Sequence, residues 1–191
     1  MDVRDSGSPL GGGSLFDDFF SKFFEEGASG GAGRSSAGRS SVVPERRAEQ
    51  VDITQLFSDS TDDLLQRAAW QAAEWGSTDL NTEHLLHAAL EDGVVRRVLE
   101  GADADPGQIR AQLEEETGKE DRKDVAPKLA PDAKRALLAA YEEAQALGSS
   151  YIGPEHVLLA LASDDAEGEA GRLLSRFGLS HTGLRAPWCA G

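Results

Sequence analysis

The sequence is short of cysteine, short of bases and without any long hydrophobic run, and each shortage closes off a class of protein. A single cysteine, Cys189, excludes a disulfide within the chain, so the fold is not a small oxidised scaffold. Nineteen Lys and Arg stand against 34 Asp and Glu, for a net charge of −15. That balance disfavours nucleic acid, whose phosphates demand cations, and equally an anionic membrane surface. It suits partners that are basic or present arginine. No run approaches the roughly 18 apolar residues of a membrane span, and the chain does not start with a basic stretch followed by an apolar one. The expectation is a cytoplasmic protein with no nucleic-acid and no membrane partner. Period-two alternation of apolar and polar residues is missing over any useful length, which leaves an all-α fold.

Glycine, by contrast, is plentiful at 21 residues, and with serine it fills 1–15 and 27–41. Those stretches are too polar to repay the entropy of ordering, so residues 1–50 read as a disordered arm. The arm holds eight acids and six bases, a net −2, so the other residues carry −13 of the −15. Within it, residues 15–26 hold five of the seven phenylalanines: Phe16, Phe19, Phe20, Phe23 and Phe24. This i, i+3, i+4, i+7, i+8 spacing makes one apolar face if the segment is helical. An isolated helix so short is marginal in water, so a docking role on a partner or on the protein itself competes with a low-complexity tail. The acidic polar positions argue against a membrane anchor.

From residue 57 the chain repeats itself. Thr82-Glu83-His84-Leu85-Leu86-His87-Ala88-Ala89-Leu90 returns 72 positions later as Pro154-Glu155-His156-Val157-Leu158-Leu159-Ala160-Leu161-Ala162. The same offset pairs Gly76 with Gly148, Ala72 with Ala144, Leu65 with Leu137 and Phe57-Ser58 with Leu129-Ala130. Downstream the offset grows to 75, pairing Val98-Leu99 with Leu173-Leu174 and Ile109 with Leu184. Such self-similarity means one supersecondary unit built twice. The expected architecture is two tandem four-helix repeats, related by a pseudo-twofold axis, in one compact bundle. Repeat 1 spans 57–115, a charged linker 116–127 and repeat 2 128–186.

Helix signals fill both copies. Ser58 is a good N-cap, and Asp59, Asp62 and Asp63 suit the positive end of a helix dipole. That helix is expected to run to about Trp75, to bury Leu64, Leu65, Ala68, Ala69 and Ala72, and to close on Gly76. Asn81 or Thr82 caps a second helix through Leu90, a third covers 94–99, and Asp105, Pro106 and Gln108 open a fourth with a capping box. In the second copy, helices start at Pro131 and Pro154, Gly148 closes the first of them, another takes 169–177 and Ser180 caps the last. Pro187 should stop that last helix. Residues 187–191 then form an aberrant tail, foreign to the repeat, for which a frame-shifted remnant of a longer reading frame is one explanation.

Glu83 and Glu155 hold equivalent first-turn positions. A pseudo-twofold axis would set both carboxylates on one surface, where they could clamp planar guanidinium groups. The plainer role of each is to stabilise a helix N-terminus, which needs no ligand. His84 and His156 follow them and read as packed or hydrogen-bonding residues. His84 and His87 are three apart, but Leu159 replaces His87 in the other copy and no third ligand is near, so no metal is expected. Cys189 has no base beside it, and Gly118-Lys119-Glu120 lacks the pattern of a phosphate-binding loop, so neither catalysis nor a cofactor is expected. A small hydrolase would rest on nothing in the sequence.

The stretch from Phe57 to about Arg185 resembles the N-terminal domain of the Clp/Hsp100 unfoldases, most of all the ClpC type. The likeness rests on Gly76 followed by Thr82-Glu83-His84-Leu85-Leu86, on Lys134-Arg135 early in a helix ending at Gly148, and on Tyr151-Ile152-Gly153-Pro154-Glu155-His156-Val157-Leu158-Leu159-Ala160-Leu161. Leu173-Leu174 before Phe177-Gly178-Leu179 completes it. The resemblance implies a domain that recognises substrates and adaptors for a Clp ATPase and its protease partner. It further implies that Glu83 and Glu155 help bind phosphoarginine, with Thr82 alongside the first, while Pro154 costs the second pocket a hydroxyl and an N–H. Cyclic-peptide antibiotics that target such domains are a further implied ligand. The AAA+ modules are absent, so the chain resembles the short actinobacterial proteins with a stand-alone Clp N-domain. It would then bind, compete, sequester or deliver rather than thread substrates. The alternative is a truncated N-terminal fragment of a ClpC-like AAA+ ATPase subunit.

Overall fold

In the computed structural model, residues 53–117, 127–164, 166 and 168–189 are described. Residues 15–26, with Phe16, Phe19, Phe20, Phe23 and Phe24, and most of the expected charged linker lie outside them. A 3-10 turn, Ile53–Leu56, leads into α1 (Asp59–Glu74), β1 (Asp79–Leu80), α2 (Thr82–Ala89), α3 (Gly93–Gly101) and α4 (Pro106–Glu116). The second series is β2 (Lys128–Leu129), α5 (Pro131–Ala146), α6 (Pro154–Leu161), α7 (Glu169–Arg176) and α8 (His181–Cys189). Four helices thus follow four, as the doubled sequence requires.

Local chemistry accounts for these elements. Ser58 Oγ accepts from Thr61 N–H at 3.2 Å and starts α1. Asp92 caps α3 through Val94 N–H at 2.7 Å, and Asp105 caps α4 through Gly107 N–H at 2.8 Å. Gln108 does not close the expected capping box; its amide turns to the Asp105 carboxylate at 3.4 Å. Gly76 and Gly148 follow α1 and α5 with φ of 73° and 72°, the left-handed conformation that ends a helix without a Cβ penalty. The equivalent residues Leu65 and Leu137, Ala68 and Ala140, and Ala72 and Ala144 are all buried, whereas Ala69 is only half-buried. Pro187 does not stop α8, which continues to Cys189. Its missing N–H forfeits one hydrogen bond in the last turn, too little to end a helix that packs on α6 through buried Leu184.

α2 and α6 form the centre. Every residue of α2 except Glu83 is buried, and every residue of α6 except Glu155. Helices apolar almost all round belong inside a core, and each buried leucine contributes on the order of 2 kcal/mol. The two repeats are also laced together by backbone, which the all-α reading did not foresee. β1 and β2 pair in parallel, Leu80 opposite Leu129, and an isolated bridge sets Phe57 opposite Ile152. These pairings are one contact made twice, since Leu129 is the counterpart of Phe57 and Ile152 that of Leu80 at the repeat offset. Ala130 N–H donates to Leu80 C=O at 2.9 Å, and its counterpart Ser58 N–H to Ile152 C=O at 3.0 Å. Each repeat therefore places the start of its first helix beside the start of the other's second helix: α5 by α2, and α1 by α6.

Candidate functional site

The site grows from one inversion of pattern. In each central helix a carboxylate is the single residue that is not buried, and both side chains remain only 13% exposed. The helix is held open at this end by the following histidine. His84 Nδ1 accepts the Asn81 N–H at 3.1 Å, and His156 Nδ1 accepts the Gly153 N–H at 2.9 Å. This is the back-bond a Glu or Gln ordinarily makes from the same position of a capping box. It fixes the proton on Nε2 of each ring. Burial, with the neighbouring His87 adding to it, lowers the His84 pKa to about 4. Burial lowers that of His156 too, against the opposing pull of Glu155 and Glu143.

Glu83 accepts from Asn81 Nδ2 at 3.0 Å. Burial raises its pKa; the Asn81 bond opposes the rise, and Asp132 and Glu169 add to it. A desolvated carboxylate facing two further acids favours a cation. Glu155 is placed differently, folded back onto its own loop: a Cβ on Gly153 would lie 2.4 Å from both carboxylate oxygens. Thr82 and Pro154 are buried. The Thr82 hydroxyl has no hydrogen-bond partner among the described residues and is closed over by Gly168, where a Cβ would lie 2.2 Å from Oγ1.

A cleft of about 530 Å³ opens in front of Glu83, walled by Asn81, Asp132, Arg135, Glu169 and Arg172 and by the first turn of α5. Arg172 is bound to Glu169 at 2.7 Å. The N-cap of α5 is Ala130, which offers no side-chain acceptor to that turn. The cleft therefore gathers three carboxylates, Glu83, Asp132 and Glu169, with Arg135 and Arg172 beside them; Pro131 brings no N–H to the first turn of α5, and the Ala133 N–H already donates to Asp132 Oδ1 at 2.8 Å. Sequence reasoning singled out Glu83 but did not place Asn81, Asp132, Arg135, Glu169 and Arg172 beside it. Nothing in the repeat marks them, because the crossed pairing of β1 with β2 is what brings α5 to α2. Among the described residues, no group of three His, Cys, Asp or Glu is placed to hold a metal ion, and no helix is long and apolar enough to cross a membrane.

Comparison with known proteins agrees with this fold. The family model of the Clp repeat (R) N-terminal domain matches residues 56–177. The ClpC/MecB negative regulator of genetic competence of Bacillus subtilis is 29% identical over 126 residues, 65% of this chain and 15% of that protein. The chaperone protein ClpB of Corynebacterium diphtheriae is 33% identical over 127 residues, 63% of this chain and 15% of that protein. The chain thus spans about a sixth of the length of the curated relatives it matches. Among solved structures, the N-domain of ClpV from Vibrio cholerae superposes with a TM-score of 0.60 at 24% identity, over 72% of this chain and 84% of that one. The Hsp104 N-terminal domain from Candida albicans gives 0.59 at 17%, over 70% and 89%.

Proposed function

The chain belongs to the Clp repeat (R) N-terminal domain family, and from that premise we propose that it is a non-catalytic, cytoplasmic binding module of a ClpC-type unfoldase–protease system. It holds an arginine-phosphorylated protein or adaptor at the Glu83 cleft and so modulates or sequesters ligands of the protease. The observation that carries this reading is the desolvated Glu83 carboxylate, the one solvent-reaching residue of α2, in a cleft it shares with Asp132, Glu169, Arg135 and Arg172. A guanidinium fits Glu83 and Glu169, and a phosphoryl group on it would meet Arg135 and Arg172. That a ClpV N-domain of the same fold was solved with VipB peptide supports a peptide ligand. Glu155, with Pro154 before it, serves as the second and weaker position, because Pro154 brings no hydroxyl or N–H and Gly153, in place of Asn81, no side-chain donor. A cyclic-peptide antibiotic is a further ligand such a cleft could take. A second reading, in which the module works within a ClpC-like AAA+ subunit, is favoured by relatives in which the matching segment is about a sixth of the length.

Calorimetric titration with a phosphoarginine peptide tests this. Binding is expected for the wild type, lost in Glu83→Gln and weakened only a few-fold in Glu155→Gln. Because burial raises the Glu83 pKa, affinity should fall on acidification earlier than for an ordinary carboxylate near 4.5. No binding by the folded wild type would overturn the phosphoarginine reading.

A further inference from the structure

The two motif helices start alike except in one side chain. Asn81 has φ −99° and ψ −179°, and its counterpart Gly153 has φ −97° and ψ 168°, so both are extended. The N–H of each is held by Nδ1 of the histidine three residues on. Gly153 thus occupies a conformation open to any residue, and the helix start needs no side chain there. What differs is the hold on the carboxylate. Asn81 Nδ2 donates to Glu83 Oε1 at 3.0 Å, whereas a glycine has nothing to donate to Glu155. The space a side chain would enter at Gly153 is taken by Glu155 itself, both of whose oxygens lie 2.4 Å from the place of an added Cβ. The next residues, Thr82 and Pro154, also differ, but the Thr82 hydroxyl is enclosed under Gly168 and Thr82 is 1% exposed.

We propose that Asn81 is the positioning residue of the Glu83 cleft, and that the residue at 81 or 153 decides which of the two equivalent glutamates is a working site for a guanidinium. The inference rests on the binding reading given above and deepens it. A glutamate side chain is long and turns freely, so a ligand that uses it must first hold it still. The Asn81 amide does this in advance. It takes one of the roughly four acceptor positions of the carboxylate and leaves the others to a planar donor fork. It also favours the ionised form, the one that pairs with a cation. Glu155 has no such hold from residue 153, so each ligand it takes must order it.

The test is calorimetric titration of the full chain with a phosphoarginine peptide. Asn81→Gly copies an arrangement that already starts α6, so α2 should form, which circular dichroism checks. It should weaken binding about tenfold at neutral pH and move the acid midpoint of binding upward, because the charged carboxylate loses a donor. The other groups facing Glu83 do not change: Asp79 on β1, Asp132 and Arg135 on α5, and Glu169 and Arg172 on α7. Nor do Glu116 and His84 on an adjoining cavity of about 400 Å³, the latter with an Nε2–H that has no partner among the described residues. The midpoint difference therefore reports the amide. The converse arm adds Gly153→Asn to Glu83→Gln. Asparagine at 153 displaces only the far end of a flexible Glu155 and should return binding, which Glu155→Gln then removes. A merely structural role for this position would produce no such gain. Gly153→Ala supplies the Cβ without the amide and should return none. If Asn81→Gly binds as the wild type does, or folded Gly153→Asn returns nothing, or Gly153→Ala returns as much, the proposal falls and the Glu83 reading stands. Asn81→Gly decides alone if Gly153→Asn does not fold. If the folded wild type binds no phosphoarginine peptide, both fall.

Discussion

His84 shows how much one side chain carries in this domain. It caps the backbone of Asn81, packs on Trp75 and occupies the core in its neutral form. Its pKa in the fold, about 4, lies below the ordinary 6.5. The unfolded chain therefore takes up a proton first, so the stability His84 contributes is complete above about pH 6.5 and is lost as pH falls towards 4. The shift corresponds to something on the order of 3 kcal/mol. Glutamine at the same position can make the capping bond without titrating. His84→Gln is accordingly expected to flatten the fall in Tm between pH 6.5 and 4, measured by thermal unfolding; an unchanged slope would refute the assignment. The same residue illustrates the limit of sequence reasoning. Its packed, hydrogen-bonding role was legible from its place after Glu83, but the Nε2–H left without a partner depends on where Trp75 lies.

At the scale of elements, helix ends were written more plainly than anything else. Ser58, Asp105, Pro131 and Pro154 mark starts, and Gly76 and Gly148 mark stops, because each end needs a particular backbone or capping chemistry from one residue. Gly148→Ala isolates that chemistry, since nothing lies within 4 Å of the added Cβ and only the φ of +72° is penalised. Urea unfolding should show a loss of about 1 kcal/mol; a much larger loss would mean that packing also matters there. Pro187 was misjudged for a related reason. Its cost is a single bond near a helix end, and the packing of α8 outweighs it. The strands escaped notice because two residues cannot display a period, and the partner of Leu80 is Leu129, on the far side of three more helices.

At the scale of the molecule, the reciprocal backbone pairing makes the two repeats mutually dependent. Leu80 and Ile152, both buried, each find their backbone partner in the other repeat, as do Phe57 and Leu129. A fragment holding residues 53–117 would expose these edges together with the faces of α2 that meet α5, α6 and α7. It should be largely unfolded alone by circular dichroism and regain helix when mixed with residues 127–189. A cooperatively folded single fragment would show that the repeats are independent units. The clefts depend on the same lacing, because residues from both repeats wall the space in front of Glu83.

The sequence by itself determined the all-α class, the doubling at an offset of 72, most helix boundaries and the prominence of Glu83 and Glu155. These follow from local periodicity, capping chemistry and self-similarity, all of which act over a few residues or can be read by laying the chain against itself. Only the tertiary structure decided that Glu83 opens on a cleft, that Asp132, Glu169 and Arg172 stand around it, and that a second cavity lined by Trp75 adjoins it. Two equivalent motif positions diverged because Glu83 accepts from the Asn81 amide at the meeting of α2 and α5, while Gly153, the counterpart of Asn81, brings Glu155 no side-chain donor. Desolvation and charge in a cleft are set by neighbours distant in the chain, and those neighbours are chosen by how the two repeats cross.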